Sequence, residues 1–110
     1  MPDFTEDAIL TVTTTAGSME DARRLAAAMV QARLAACVQL DAIAASFYRW
    51  DGKLCDEPEV RLTIKTLPAL RDALQAFVAE HHPYELPQFV CVIAGASKAY
   101  ADWVRSEVQG

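Results

Sequence analysis

Apolar positions along this chain change their spacing several times, and each change marks an element. Ile9, Thr11, Val12, Thr13, Thr14 and Thr15 make the stretch 8–15 rich in β-branched residues, which predicts a mostly buried strand. Gly17-Ser18 breaks it. Ser18, with Asp21 three residues on, resembles a capping box, and Glu20 and Asp21 suit a positive helix N-terminus. Ala22, Leu25, Ala26, Met29, Val30 and Leu34 then recur at helical spacing, so a first helix is predicted over 19–34.

Residues 35–50 predict a second strand and 53–66 a third, joined at Asp51-Gly52. That dipeptide is a strong signal for a type I′ turn, which needs positive φ at both positions. In the returning arm Val60, Leu62 and Ile64 alternate with Arg61, Thr63 and Lys65. The two arms conflict in parity. Unbroken pairing across a two-residue turn sets Asp41 opposite Leu62, yet Val38 and Leu40 belong on the core face. A one-residue slip reverses every side chain, so one β-bulge is required, at Ala44-Ala45 or at Glu57-Pro58. Strands usually run about five or six residues, so arms this long overhang a small core and call for a partner surface.

Pro68 suits a first helical turn, and Leu70, Leu74, Phe77 and Val78 predict a second helix ending near His81-His82 before Pro83. A rigid connector, Tyr84-Glu85-Leu86-Pro87, leads to an apolar strand over 89–94. Tyr100, Trp103 and Val104 mark a final helix. The order is βαββαβ plus a C-terminal helix, which predicts one α+β domain over 1–110. Its expected form is a ferredoxin-like sandwich, with two helices on one face of the sheet and none on the other.

Composition sharpens this picture. Of the 110 residues 53% are apolar and 23% charged, with a net charge of −5. The apolar surplus favours an oligomer. The acidic balance argues against nucleic-acid or anionic-membrane partners. No apolar run approaches a membrane span, and the acidic start (Met1 to Asp7) does not read as a signal peptide. Cys37, Cys55 and Cys91 form no C-x-x-C pair and read as free thiols of a reducing, cytoplasmic compartment.

Several short motifs stand in one order: Leu34-Ala35-Ala36-Cys37-Val38, Tyr48-x-Trp50-x-Gly52-Lys53, Glu59, Ile64-Lys65-Thr66, His82-Pro83-Tyr84-Glu85-x-Pro87 and Tyr100-x-x-Trp103. Together they resemble the CutA family of divalent-cation tolerance proteins over nearly the whole chain. The resemblance implies a cytoplasmic homotrimer, similar in architecture to PII-type signalling proteins, that binds copper or another divalent metal ion. In animals it implies a link to acetylcholinesterase anchoring, and it brings no established enzymatic activity. Some bacterial relatives bind copper through a cysteine at the end of the first strand and two adjacent histidines. The histidine positions here are His81 and His82, and the cysteine position holds Thr14, whose hydroxyl is a poor ligand for soft Cu(I).

The candidate chemistry follows. His81 and His82 are the expected metal ligands, although histidine near a helix C-terminus also serves the helix dipole, and neighbours on a helix point about 100° apart. The fold itself needs no cofactor. Lys65, mid-sheet, needs a carboxylate, with Glu59, Glu85 or a neighbouring subunit's acid as candidates. It is either half of a structural ion pair or a cation lining an inter-subunit cleft for a small anionic ligand. Tyr84, Trp50 and Trp103 would wall that cleft or pack an interface. Cys37 and Cys91 read as core residues and Cys55 as the more exposed thiol. Glu57 and Glu59 share a strand face, but no hydrolase, phosphate-loop or metalloprotease motif accompanies them, so the chain reads as no enzyme.

Overall fold

The computed structural model describes residues 7–108; most of the acidic start lies outside the described residues. Four strands, β1 (Ala8–Ala16), β2 (Cys37–Trp50), β3 (Lys53–Thr66) and β4 (Val90–Gly95), form one antiparallel sheet in the order β2-β3-β1-β4. Three helices accompany it: α1 (Met19–Gln31), α2 (Arg71–His81) and α3 (Lys98–Glu107), with a 3-10 turn at Pro68–Leu70 leading into α2. This is the expected βαββαβ sandwich with an added C-terminal helix.

Local chemistry accounts for the boundaries. Ser18 caps α1, its hydroxyl accepting from the Asp21 N–H at 3.1 Å. The helix stops short of the predicted Leu34. Arg33 takes a positive φ of 60°, and the Arg33 and Leu34 N–H groups donate back to the carbonyls of Val30 and Met29. This is a Schellman stop with arginine where glycine is usual. Leu34 then packs on the core that also holds Met29, so the apolar rhythm runs past the helix end.

The hairpin turns at Asp51 and Gly52, both at positive φ. Its register shifts between Ile43 and Ser46: Ile43 faces Glu59 and Ser46 faces Glu57, so Ala44-Ala45 stand opposite Pro58 alone. The bulge belongs to β2, and the proline with no N–H to give is the single residue it faces. Asp41 therefore lies opposite Arg61, where carboxylate and guanidinium form a two-pronged ion pair with contacts of 3.0 and 2.7 Å. Hydrogen bonding to the guanidinium holds the Asp41 carboxyl below its usual range.

The main core lies between one sheet face and helices α1 and α2. Val12, Leu62, Ile64, Leu25, Met29 and Leu74 are fully buried there. The second face is not bare as expected. Helix α3 covers one end of it, where Ala101, Val104 and Val108 pack with Ile9 and Ala36. The rest is mixed: Thr11, Thr13 and Thr63 are aligned beside Arg61 and Lys65 by the strand register, and exposed Val90 and Val92 of β4 lie next to Thr13 and Thr11. The hairpin runs on beyond the last β1 pair, Ala16 with Val60. The radius of gyration, 14.9 Å, accordingly exceeds the roughly 13 Å expected of a compact chain this long. No described helix is long and apolar enough to cross a membrane.

Candidate functional site

Where β1 ends and the hairpin continues, a groove of about 730 Å³ opens. Its lining includes Thr15 near the end of β1 and residues of three further segments. Strand β2 gives Ser46, Phe47, Tyr48 and Trp50, strand β3 gives Glu57 and Glu59, and the connector after α2 gives Tyr84 to Val90.

His82 fixes that connector. It ends α2, its N–H donating to the Val78 carbonyl at 2.9 Å. Its ring is buried. Nδ1 accepts the Tyr84 N–H at 3.0 Å, so the proton sits on Nε2, which donates to the Thr15 carbonyl at 2.6 Å. The loop is thereby tied to the end of β1. The Tyr84 ring then crosses Gly17, where an added Cβ would lie 3.0 Å from the phenol oxygen. That oxygen donates to Glu59 at 3.3 Å. On the facing wall the Tyr48 phenol donates to Glu57, also at 3.3 Å. Both phenols titrate high. Burial pushes Tyr84 up to about 12, with the Glu59 charge adding to it, and burial followed by the Glu57 charge raises Tyr48.

Of the residues expected to form a cleft, Glu59, Tyr84, Glu85 and Trp50 meet here. Lys65 and Trp103 do not. Lys65 donates to the Gln39 side chain at 3.0 Å, so within one chain its partner is an amide rather than Glu59 or Glu85. It lies six residues along β3 from Glu59, about 20 Å away. Trp103 is on α3, stacked obliquely on Tyr100 with ring centroids 5.6 Å apart. Tyr48 and Glu57 were not among the expected cleft residues. With the bulge fixed at Ala44-Ala45, the register alone brings Ser46, Tyr48 and Trp50 onto the face that carries Glu57 and Glu59.

The expected metal donors differ in what they can offer an ion. Both ring nitrogens of His82 are engaged, which leaves its ring no lone pair to offer an ion in this arrangement. His81 is exposed, and its Nδ1 donates to the Phe77 carbonyl at 3.0 Å, so its lone pair is on Nε2. Thr14 is fully buried, and its hydroxyl has no hydrogen-bond partner among the described residues. The three cysteines are unpaired and half-buried. Cys37 and Cys91 are thus less enclosed than expected. Among the described residues, no three of His, Cys, Asp and Glu converge tightly enough to hold a bare ion.

What the groove offers is oxygen and aromatic surface. Glu57, Glu59 and Glu85 contribute carboxylates, and no Lys, Arg or His belongs to its described lining. A wall of one charge sign concentrates the opposite ion, so the groove attracts cations and repels anions.

Comparison with known proteins gives a consistent result. Residues 10–107 match the family model described as CutA1 divalent ion tolerance protein. The divalent-cation tolerance protein CutA of Thermus thermophilus is 39% identical over 92 residues, covering 83% of this chain and 89% of the relative. The CutA of Yersinia pestis is 35% identical over 100 residues, covering 90% and 84%. Among solved structures, CutA from Synechococcus elongatus superposes with a TM-score of 0.88 at 38% identity, covering 94% of this chain and 92% of that one. CutA1 from Pyrococcus horikoshii superposes with a TM-score of 0.88 at 27% identity, covering 92% and 99%.

Proposed function

The chain belongs to the CutA1 divalent ion tolerance family, and from that premise we propose that it binds divalent cations in the acidic groove, as a homotrimer. The observation that carries this reading is the lining itself: Glu57, Glu59 and Glu85 with no basic residue among them. Hard divalent ions such as Mg²⁺ and Mn²⁺ keep several waters and need only one or two carboxylates. That requirement agrees with carboxylates that do not gather around a single point. A soft copper ion is served less well, because the thiols lie outside the groove and His82 is engaged on both sides. An anionic ligand would meet repulsion, with Lys65 far from the lining.

Assembly is supported by surface a monomer leaves bare. Phe47 and Leu54 on the hairpin and Val92 and Ile93 on β4 are all more than half exposed. Both outer strands of the sheet, β2 and β4, also present unpaired edges. Unpaired cysteines and an acidic surface suit the cytoplasm. We assign the groove no catalytic step, in keeping with relatives named for tolerance rather than for a reaction.

Calorimetric titration with Mn²⁺ tests the site. A saturable isotherm weakened roughly tenfold or more by Glu57→Gln with Glu59→Gln is expected, as for lost charge-assisted contacts; an isotherm those changes leave alone rejects it. A Cu²⁺ isotherm abolished by His81→Ala would instead move the site to the end of α2, where Nε2 of His81 carries a lone pair. Sedimentation of the folded chain as a single 12.1 kDa particle would reject the trimer.

A further inference from the structure

The divalent reading uses the carboxylates of the groove and leaves its aromatic walls without a role. Tyr48 and Trp50 stand two residues apart on one face of β2, and Tyr84 lies across from them on the connector. None of the three is sealed: Tyr48 is 40% and Trp50 47% exposed, and Tyr84 is half-buried. Each of the two phenols donates to a glutamate, Tyr48 to Glu57 and Tyr84 to Glu59. Donation to a carboxylate pushes electron density back into the ring, and an electron-rich ring face attracts a cation more strongly.

Spacing decides what kind of cation fits. Glu57 and Glu59 are two residues apart on one strand face, so their backbone origins lie about 6.6 Å apart. Among the described residues no third acid, histidine or cysteine joins them around one point. A hydrated metal ion needs only one or two of these carboxylates and leaves the rings unused. Two ammonium groups joined by a short methylene chain use both features: each takes one carboxylate, and the methylenes lie against the rings. We propose that this groove binds an organic polycation of the polyamine class, its ammonium groups held by Glu57 and Glu59 and its alkyl chain clamped by Tyr48, Trp50 and Tyr84. The proposal shares the groove with the divalent reading but requires the aromatic walls, which a hydrated metal ion does not.

The two tryptophans of the chain make the test direct, because Trp103 is on α3 outside the groove. In the full-length Trp103→Phe protein, Trp50 is the sole reporting indole. Titration with spermidine at moderate salt is expected to change its emission saturably, with a matching calorimetric isotherm for the unaltered chain. Glu57→Gln with Glu59→Gln is expected to weaken spermidine roughly tenfold or more, and Trp50→Leu about threefold by calorimetry. The same Trp50→Leu change is expected to weaken Mn²⁺ less than spermidine. Neutralising Glu20 on α1 and Glu80 on α2, both exposed and remote, should change nothing. No saturable response, or equal weakening by the remote pair, overturns the proposal. So does a Trp50 signal that spermidine cannot move because a neighbouring copy fills the groove. Mn²⁺ binding without spermidine binding rejects the polyamine and keeps the divalent reading; the reverse rejects the divalent reading and keeps the polyamine.

Discussion

Strands β2 and β3 are a single ribbon living in two environments. In the inner half, Leu62 and Ile64 on β3 are fully buried beneath α1 and α2. In the outer half, past the bulge at Ala44-Ala45, Leu54 is 75% and Phe47 67% exposed. Both halves pair through backbone hydrogen bonds, on either side of the bulge where the β2 alternation shifts by one residue. The difference is the covering layer, which ends where β1 ends. Backbone pairing therefore carries the ribbon beyond the core, while burial energy stays behind, and the outer half is left to bind something else.

Substitution of matched leucines tests this most sharply. Leu62→Ala removes a fully enclosed side chain and is expected to cost about 3 kcal/mol, the middle of the range for core leucines. Leu54→Ala removes an exposed one and is expected to cost no more than about 0.5 kcal/mol. Denaturant unfolding at a fixed chain concentration reads both. A Leu54 cost approaching that of Leu62 would break the contrast, and would mean that a second copy buries the hairpin tip.

Thr14 offers the next effect, within the inner half. Its hydroxyl is enclosed without a partner, and an unmet buried donor costs about 1–3 kcal/mol. Valine has nearly the same shape and no hydroxyl. Thr14→Val is expected to stabilise the protein by about 1 kcal/mol in the same unfolding measurement. A loss of stability would mean that an ordered water or ion satisfies the hydroxyl and that the core there is not dry.

How much of this was legible beforehand depended on the range of the interaction. Ser18, Asp51-Gly52 and the alternation of Val60, Leu62 and Ile64 act within a few residues, and they set their elements as expected. The end of α1 was misjudged because Leu34 keeps the helical apolar rhythm while serving the Schellman stop, and Arg33 gives no glycine signal. The bulge was known to be necessary from parity, but Pro58 marked the partner strand rather than the strand that bulges. Lys65 meets Gln39 within the chain, a contact that depends on the β2–β3 register rather than on charge and so was not legible in the sequence. The groove was half visible. Glu59, Tyr84, Glu85 and Trp50 were expected to meet, but Tyr48 and Glu57 join them only once the bulge is placed. For His82, the sequence neighbours do not reveal that Thr15 takes one ring nitrogen and Tyr84 the other.

Gly17 sits at the junction of the two halves, where β1 gives way to the Tyr84 ring. A methyl group there would crowd the phenol oxygen at 3.0 Å, while the nearest ring carbons lie at 3.7 and 3.8 Å. Gly17→Ala is therefore expected to destabilise the protein only while the hydroxyl is present. In a Tyr84→Phe background the same change should be neutral or mildly favourable, since alanine restricts the unfolded chain. A double-mutant cycle should yield a coupling of about 1 kcal/mol, the size of one hydrogen bond. Independent effects would mean that the ring slides away freely and that the junction does not hold the groove in shape.

The smallest effect is the titration of Tyr84. Its phenol is raised from 10.0 to about 12, first by burial and then by the Glu59 carboxylate. A raised pKa means that the fold favours the protonated phenol. The corresponding stability is fully present below the unfolded value near 10 and is lost as pH rises through about 12. The group is half-buried and solvent screens part of the effect, so the contribution is small, but phenolate absorbance reports it directly. Glu59→Gln should bring the midpoint down without restoring it to the unfolded value, because burial remains the larger cause. A full return would make the carboxylate the dominant influence. No change would mean that the Tyr84–Glu59 contact is not held in solution, and the outer half of the ribbon would then lose the hydrogen bond that ties it to the connector.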